Sequence, residues 1–244
     1  STVHVRIEYV DLVTSGFDDL GGVAIRSDRG QSDPGTAKEN SVMSHKLPPI
    51  YLASKSPRRR EILAGLGIDF EIIESPYEEK HSDIADLNPE QAAAKLAGLK
   101  AFHASGSLRS GIVIGADTIV VQGDSIMGKP RNRDHAAEML FSLSGRRHRV
   151  ITGVSVVDAE GFRTFSCSEV TNVFFRELSR KDVDMYLDTK EPYDKAGAYG
   201  IQGHAALFVE RVEGCYFNVV GFPIVAFRGL LQQLGYDILD FIKR

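Results

Sequence analysis

The sequence predicts an α/β domain built on a mixed sheet. From Ile50 onward, short apolar, β-branched runs alternate with segments of helical composition, as in strands covered by helices. Two long β-branched runs, residues 148–158 and 163–175, follow each other with no helix between them, so part of the sheet is expected to be antiparallel. Hydrophobic residues make up 43% of the 244, enough for a sizeable core.

Taken in order, "IYLAS" at Ile50–Ser54 is a short strand. "PRRREILAGLG" is a helix stopped by glycine, with Ser56 placed to cap it and Pro57 suited to its first position. "FEIIES" reads as a strand, and "NPEQAAAKLAGLKAFHAS" as a strong helix opened by Pro89. "GIVIGADTIVV" is a long apolar run broken at Gly115-Ala116-Asp117, so Asp117 is expected at a strand end. "DHAAEMLFSLSG" is a helix ending at Gly145. "SRKDVDMYLDT" opens on the capping box Ser179-x-x-Asp182. "GCYFNVVGF" has the composition of a strand, and the stretch after Pro223 closes the chain with helix. Residues 1–46 differ: "VHVRIEYVDLV" alternates like one strand, and "SDRGQSDPGTAKENS" has linker composition. They are expected to be an extension, or the product of an upstream start, ahead of a functional domain at 47–244.

The formal net charge is −4, which speaks against a protein that coats nucleic acid. Arginine clusters must then be local sites. No run approaches the ~20 apolar residues of a membrane span, so no membrane partner is expected. The N-terminal acids Glu8, Asp11, Asp18 and Asp19 disfavour a targeting leader. The two cysteines, Cys167 and Cys215, form no CxxC pair; buried, unreactive thiols and a reducing, cytoplasmic setting are expected. The histidines show no metal-triad spacing.

Four stretches carry chemistry. In "LASKSPRRREILAGLG", Arg59 falls on the helix stripe made by Ile62, Leu63 and Leu66, with Arg58 and Arg60 on either side. Arginines at a helix N-terminus, where backbone N–H groups are free, make an anion site; an exposed basic helix end is the alternative. In "GADT", Asp117 either faces a ligand crevice or serves a turn. "GDSIMGKP" nearly matches a P-loop, but Pro130 stands where the metal-binding hydroxyl belongs, so that reading fails. Lys129 is then a phosphate contact or a solvated turn lysine. "EPYDKAGAYGIQG" packs Gly197, Gly200 and Gly203 around Asp194, Lys195 and Gln202. Glycine at that density shapes a loop against a ligand, and a glutamine amide suits the edge of a base.

Together, "LASKSPRR", "GADTIVV", "GKP", "SGRRHRVITGV" and "DKAGAYGIQG" resemble the Maf family of nucleoside triphosphate pyrophosphatases, in order, from Leu52 to Phe222. The resemblance implies an elongated mixed α/β fold with flanking helices and two lobes around a nucleotide cleft, often in a homodimer. It implies hydrolysis of a nucleoside triphosphate to the monophosphate and pyrophosphate, with Mg²⁺ or Mn²⁺ as cofactor. Asp117 corresponds to the family's proposed proton acceptor, and Glu79 (or its neighbour Glu78) joins it at the metal. The substrate-binding set is then Ser54, Ser56, Arg58, Arg59, Lys100, Thr118, Lys129, Lys195 and Gln202. Arg58, Thr118 and Gln202 match the branch acting on dTTP and UTP, where a 7-methyl-GTP branch has tryptophan and glutamate. Arg58 and Arg59 are expected to touch substrate and Arg60 to be solvated. Two alternatives stay open: a nucleotide-binding regulator of cell division or septum formation, and a pyrophosphatase for modified purine nucleotides such as ITP.

Overall fold

One mixed sheet organises the protein. The computed structural model describes residues 47–161 and 163–243, and every described residue from Pro48 on belongs to one compact unit. The strand and linker expected in residues 1–46 lie outside the described residues. The seven strands of the sheet are β1 (Ile50–Leu52), β2 (Glu71–Ile72), β3 (Ile112–Gln122), β4 (Ser125–Met127), β5 (Arg147–Asp158), β6 (Thr164–Phe175) and β7 (Val209–Glu213). Their order is β2-β1-β3-β5-β6-β7, with β4 also paired to β3. β1 is parallel to β2 and β3, and the remaining pairs are antiparallel. The helices are α1 (Pro57–Gly65), α2 (Pro89–Ser105), α3 (Arg133–Leu143), α4 (Arg180–Leu187), α5 (Tyr216–Val220) and α6 (Ile224–Leu234).

Local chemistry explains most of these elements. Asn88 caps α2 through a reciprocal box with Gln91, and Ser179 caps α4 through the expected box with Asp182. α2 lies across β3, β5 and β6 on a face of buried alanines, Ala93, Ala94, Ala97 and Ala101. It sits close because the sheet offers glycine beneath it. A Cβ on Gly115 would stand 2.1 Å from the Ala97 carbonyl oxygen, and one on Gly153 would stand 2.0 Å from that of Ala93. The core has two main clusters. One gathers β1, α1, α5 and α6 around Ile112, Ile114 and Ala116 of β3; the other gathers α3 and α4 around Val120 of β3.

Several expectations are corrected. β3 is not broken at Gly115-Ala116-Asp117: it runs unbroken for 11 residues with Asp117 in the middle. The small residues that look like a break admit α2 instead. Ser56 does occupy the N-cap of α1, but its side chain makes no cap hydrogen bond. "GCYFNVVGF" is not a strand. Residues 216–220 form α5, closed by Gly221 at φ +115°, a backbone conformation that favours glycine. The buried Asn218 side chain dictates this: it accepts from the Thr152 amide (3.0 Å) and donates to the Val150 carbonyl (2.9 Å) and Thr171 Oγ1 (2.8 Å). β2 is shorter than expected, β4 and β7 were not anticipated, and "GDSIM" turns a β3–β4 hairpin. Cys167 is buried, whereas Cys215 is half-buried.

Candidate active site

The site lies at a gap in the hydrogen-bond ladder. Along one edge of β3, β1 pairs with Ile112–Ile114 and β4 with Val120–Gln122, which leaves 115–119 without a strand partner on that edge among the described residues. The other edge of β3 is paired to β5 throughout, from Ile112 to Val121. A cleft of about 900 Å³ opens at the gap, and Ser54, Ser56, Arg58, Arg59, Glu79, Lys100, Asp117, Thr118, Lys129, Lys195 and Gln202 all line it. These residues, far apart in sequence, are thus brought to one place, whereas Glu78 does not line the cleft. Exposed Arg60 is not among the lining residues.

Strand alternation decides which side chains meet. Asp117 shares the face of Gly115, the face covered by α2. Lys100, near the C-terminal end of α2, donates to Asp117 Oδ1 at 2.6 Å and also pairs with Glu79. Burial draws the Lys100 pKa down, but Asp117 and Glu79 outweigh it, and the net shift is upward. Lys100 is therefore a fixed positive charge between two carboxylates.

The mouth of α1 faces the same gap. Its first-turn N–H groups have no intrahelical partner, no side chain caps them, and its first turn holds no acid. Arg58 is half-buried beside them. Arg59 turns inward: Nε donates to the Gly221 carbonyl (2.8 Å), Nη1 to Ser54 Oγ (3.0 Å) and the Ala116 carbonyl (2.9 Å), and Nη2 to Thr118 Oγ1 (3.1 Å). Thr152 Oγ1 donates to the Asn218 carbonyl at 2.8 Å, so in the 2.9 Å contact between the two hydroxyls Thr118 is the donor. Desolvation lowers the Arg59 pKa, and Asp117 opposes it.

The glycine-rich loop closes the far side. The Gly197 N–H donates to the Gly128 carbonyl at 3.1 Å, tying the loop to the turn that carries exposed Lys129. Lys195 Nζ is held within its own loop by the Glu191 carbonyl (2.7 Å) and Asp194 Oδ1 (2.6 Å). Gln202 is exposed to the cleft.

A family model for Maf-like protein matches residues 49–234. The chain belongs to the Maf family. Among its curated relatives, a dTTP/UTP pyrophosphatase of Alkaliphilus oremlandii is 50% identical over 78% of this chain and 97% of its own length. One from Carboxydothermus hydrogenoformans is 46% identical over 77% and 99%, and one from Acetivibrio thermocellus is 45% identical over 79% and 98%. The cleft lies wholly within the residues of this Maf chain that the family model matches.

Residues that sequence reasoning missed support the site. Tyr199 lines the cleft, and its hydroxyl lies 2.7 Å from Nε2 of buried His148. The alternation of β5 places His148 inward, which is a signal legible in "RRHRVITGV". Burial pushes the His148 imidazole down to about 4, so it is neutral at pH 7. Tyr77 also lines the cleft, stacked on His103 with its hydroxyl 2.5 Å from Asp83. Among the described residues no cluster of three metal-ligating side chains occurs. Mg²⁺ is commonly held by one or two carboxylates plus substrate phosphates rather than an all-protein cage, and Glu79 with Asp117 fits that donor set. No helix among the described residues is long and apolar enough to cross a membrane.

Proposed function

We propose that this chain hydrolyses dTTP and UTP to the monophosphate and pyrophosphate. The observation that supports it best is the placement of a mid-strand carboxylate, Asp117, beside Lys100 and Glu79 in the same cleft as the uncapped, arginine-bearing mouth of α1. The names of the relatives support the same substrates.

In this reading the first-turn amides of α1, Arg58 and Lys129 take the triphosphate oxygens. Asp117, hydrogen-bonded by Lys100, accepts a proton from a water whose oxygen attacks the α-phosphorus. The bond from the α-phosphorus to its bridging oxygen breaks, and pyrophosphate leaves with the electron pair. Lys100 and Lys129 offset the charge that builds on it. Glu79 and Asp117 would hold a divalent cation, Mg²⁺ or Mn²⁺; when bound it supplies positive charge to the phosphate oxygens. The Gln202 amide can pair with O4 and N3–H of uracil or thymine. The family resemblance supports residues 47–244 as the functional domain, working as a homodimer in the cytoplasm.

Pyrophosphate release from dTTP, UTP, ITP and 7-methyl-GTP tests the proposal. Preference for dTTP and UTP is expected. Preference for either purine nucleotide, or nucleotide binding without turnover, would overturn it. Asp117→Asn should abolish turnover and retain nucleotide binding; near-wild-type rates would remove Asp117 from its role.

A further inference from the structure

Arg59 faces the cleft, yet its hydrogen bonds run into the protein. A guanidinium has five N–H donors, and four are engaged by Gly221, Ser54, Ala116 and Thr118. Two of these partners, Ala116 and Thr118, flank Asp117 directly. We propose that Arg59 is a positioning residue that braces β3 on both sides of Asp117, through the Ala116 carbonyl and the Thr118 hydroxyl, in place of a neighbouring strand, rather than a ligand of the phosphates. The inference rests on the function proposed above, because it assigns Arg59 a part in aiming that reaction's base.

The edge of β3 is what demands such a residue. Ile114 directs its carbonyl to this edge, where the Ala53 N–H meets it at 2.8 Å. By alternation Ala116 and Thr118 direct their peptide groups the same way, into the span that β1 and β4 leave open. A strand pairing there would satisfy them and fill the cleft. A buried carbonyl without a partner is costly. Arg59 meets the conflict at Ala116 with a side chain: it bonds the Ala116 carbonyl, braces the strand again at the Thr118 hydroxyl, and leaves the space beyond them free.

The geometry is specific to arginine. Its planar fork reaches the Gly221 carbonyl from Nε while Nη1 and Nη2 reach β3. A lysine ammonium is a single point and cannot span those acceptors. The Asp117 carboxylate points to the opposite face, toward Lys100, and among the described residues Arg59 makes no ion pair with it. Arg59 therefore sets where the Asp117 backbone sits, and Lys100 sets where its carboxylate points. The chain continues inward from Thr118 to Thr152 and Asn218, which anchors the clamp in buried structure.

The test uses the full chain with Arg59→Lys, Arg59→Ala and Thr118→Val. Turnover of dTTP is compared with the Kd of its non-hydrolysable α,β-imido analogue, measured by calorimetry with Mg²⁺. In Arg59→Lys we expect kcat to fall about 100-fold or more while Kd stays within about threefold. Methylguanidinium should partly restore kcat in Arg59→Ala. Thr118→Val, which removes the acceptor of Arg59 Nη2, should also lower kcat. In Arg59→Lys without nucleotide, the backbone amide NMR signals of Asp117 and its β5 partner Gly153 should move. A Kd weakened tenfold or more, a wild-type kcat in Arg59→Lys, or unmoved amide signals would overturn the inference. A wild-type protein that releases no pyrophosphate from dTTP would sink the proposed function alone, and the amide signals would still decide the role of Arg59.

Discussion

Replacing Gly115 with alanine tests how the site depends on close packing. The added Cβ would sit 2.1 Å from the Ala97 carbonyl oxygen and 2.9 Å from both the amide nitrogen and the Cβ of Ala101. The first contact is backbone on both sides, so no side chain can swing away. To restore an ordinary separation, α2 and β3 must part by about 1 Å, and overpacking of this kind costs about 1–3 kcal/mol. The upper end applies where a helix backbone moves. In a domain of this size each kcal/mol shifts Tm by about 2–4 °C, so a fall of about 6–12 °C is expected in a thermal melt. The same displacement acts on Lys100, one residue before Ala101, and lengthens its 2.6 Å contact with Asp117. Pyrophosphate release should fall by about tenfold or more, as 1 Å errors at reacting groups do. A melt within 1 °C of wild type together with an unchanged kcat would refute the reasoning.

Gly229 provides a contrast: it lies inside α6 with nothing within 4 Å of a built Cβ, so Gly229→Ala should stabilise by about 0.5–1 kcal/mol in urea melts. Burial lowers His148 from 6.5 to about 4, so the unfolded chain binds that proton first as pH falls. The resulting stability is present above pH 6.5 and lost down to about pH 4, an effect of roughly 3 kcal/mol. His148→Phe should lose less stability than wild type across that window in urea midpoints; parallel profiles would refute it. Burial pushes the Cys167 thiol up to about 12, so a thiol reagent should modify Cys167 only after unfolding, as peptide mapping would show.

Much of the fold was legible because local signals agree with their tertiary setting. α2 and α4 announce themselves by Pro89 and by capping residues that do cap, and the β5–β6 hairpin by its β-branched run. α5 was not legible, because a five-residue segment of strand-like composition is held as helix by what Asn218 meets across the sheet. The candidate site was legible as a set of residues and not as an arrangement. Arg58 and Arg59 are neighbours of one type. The difference between them rests on acceptors 57 and 162 residues away from Arg59, at Ala116 and Gly221. The helix stripe turns Arg59 inward, but no local pattern encodes those acceptors. The break read into Gly115-Ala116-Asp117 likewise mistook room for a helix above the strand for an end of the strand itself.

β3 belongs to both main cores, Ile112, Ile114 and Ala116 to one and Val120 to the other. Asp117 stands between the two memberships. Its position is held jointly by two bodies of packed side chains, so loosening either one displaces it. Heat inactivation should therefore superimpose on the global melt, with no earlier phase in which a folded but inert enzyme accumulates.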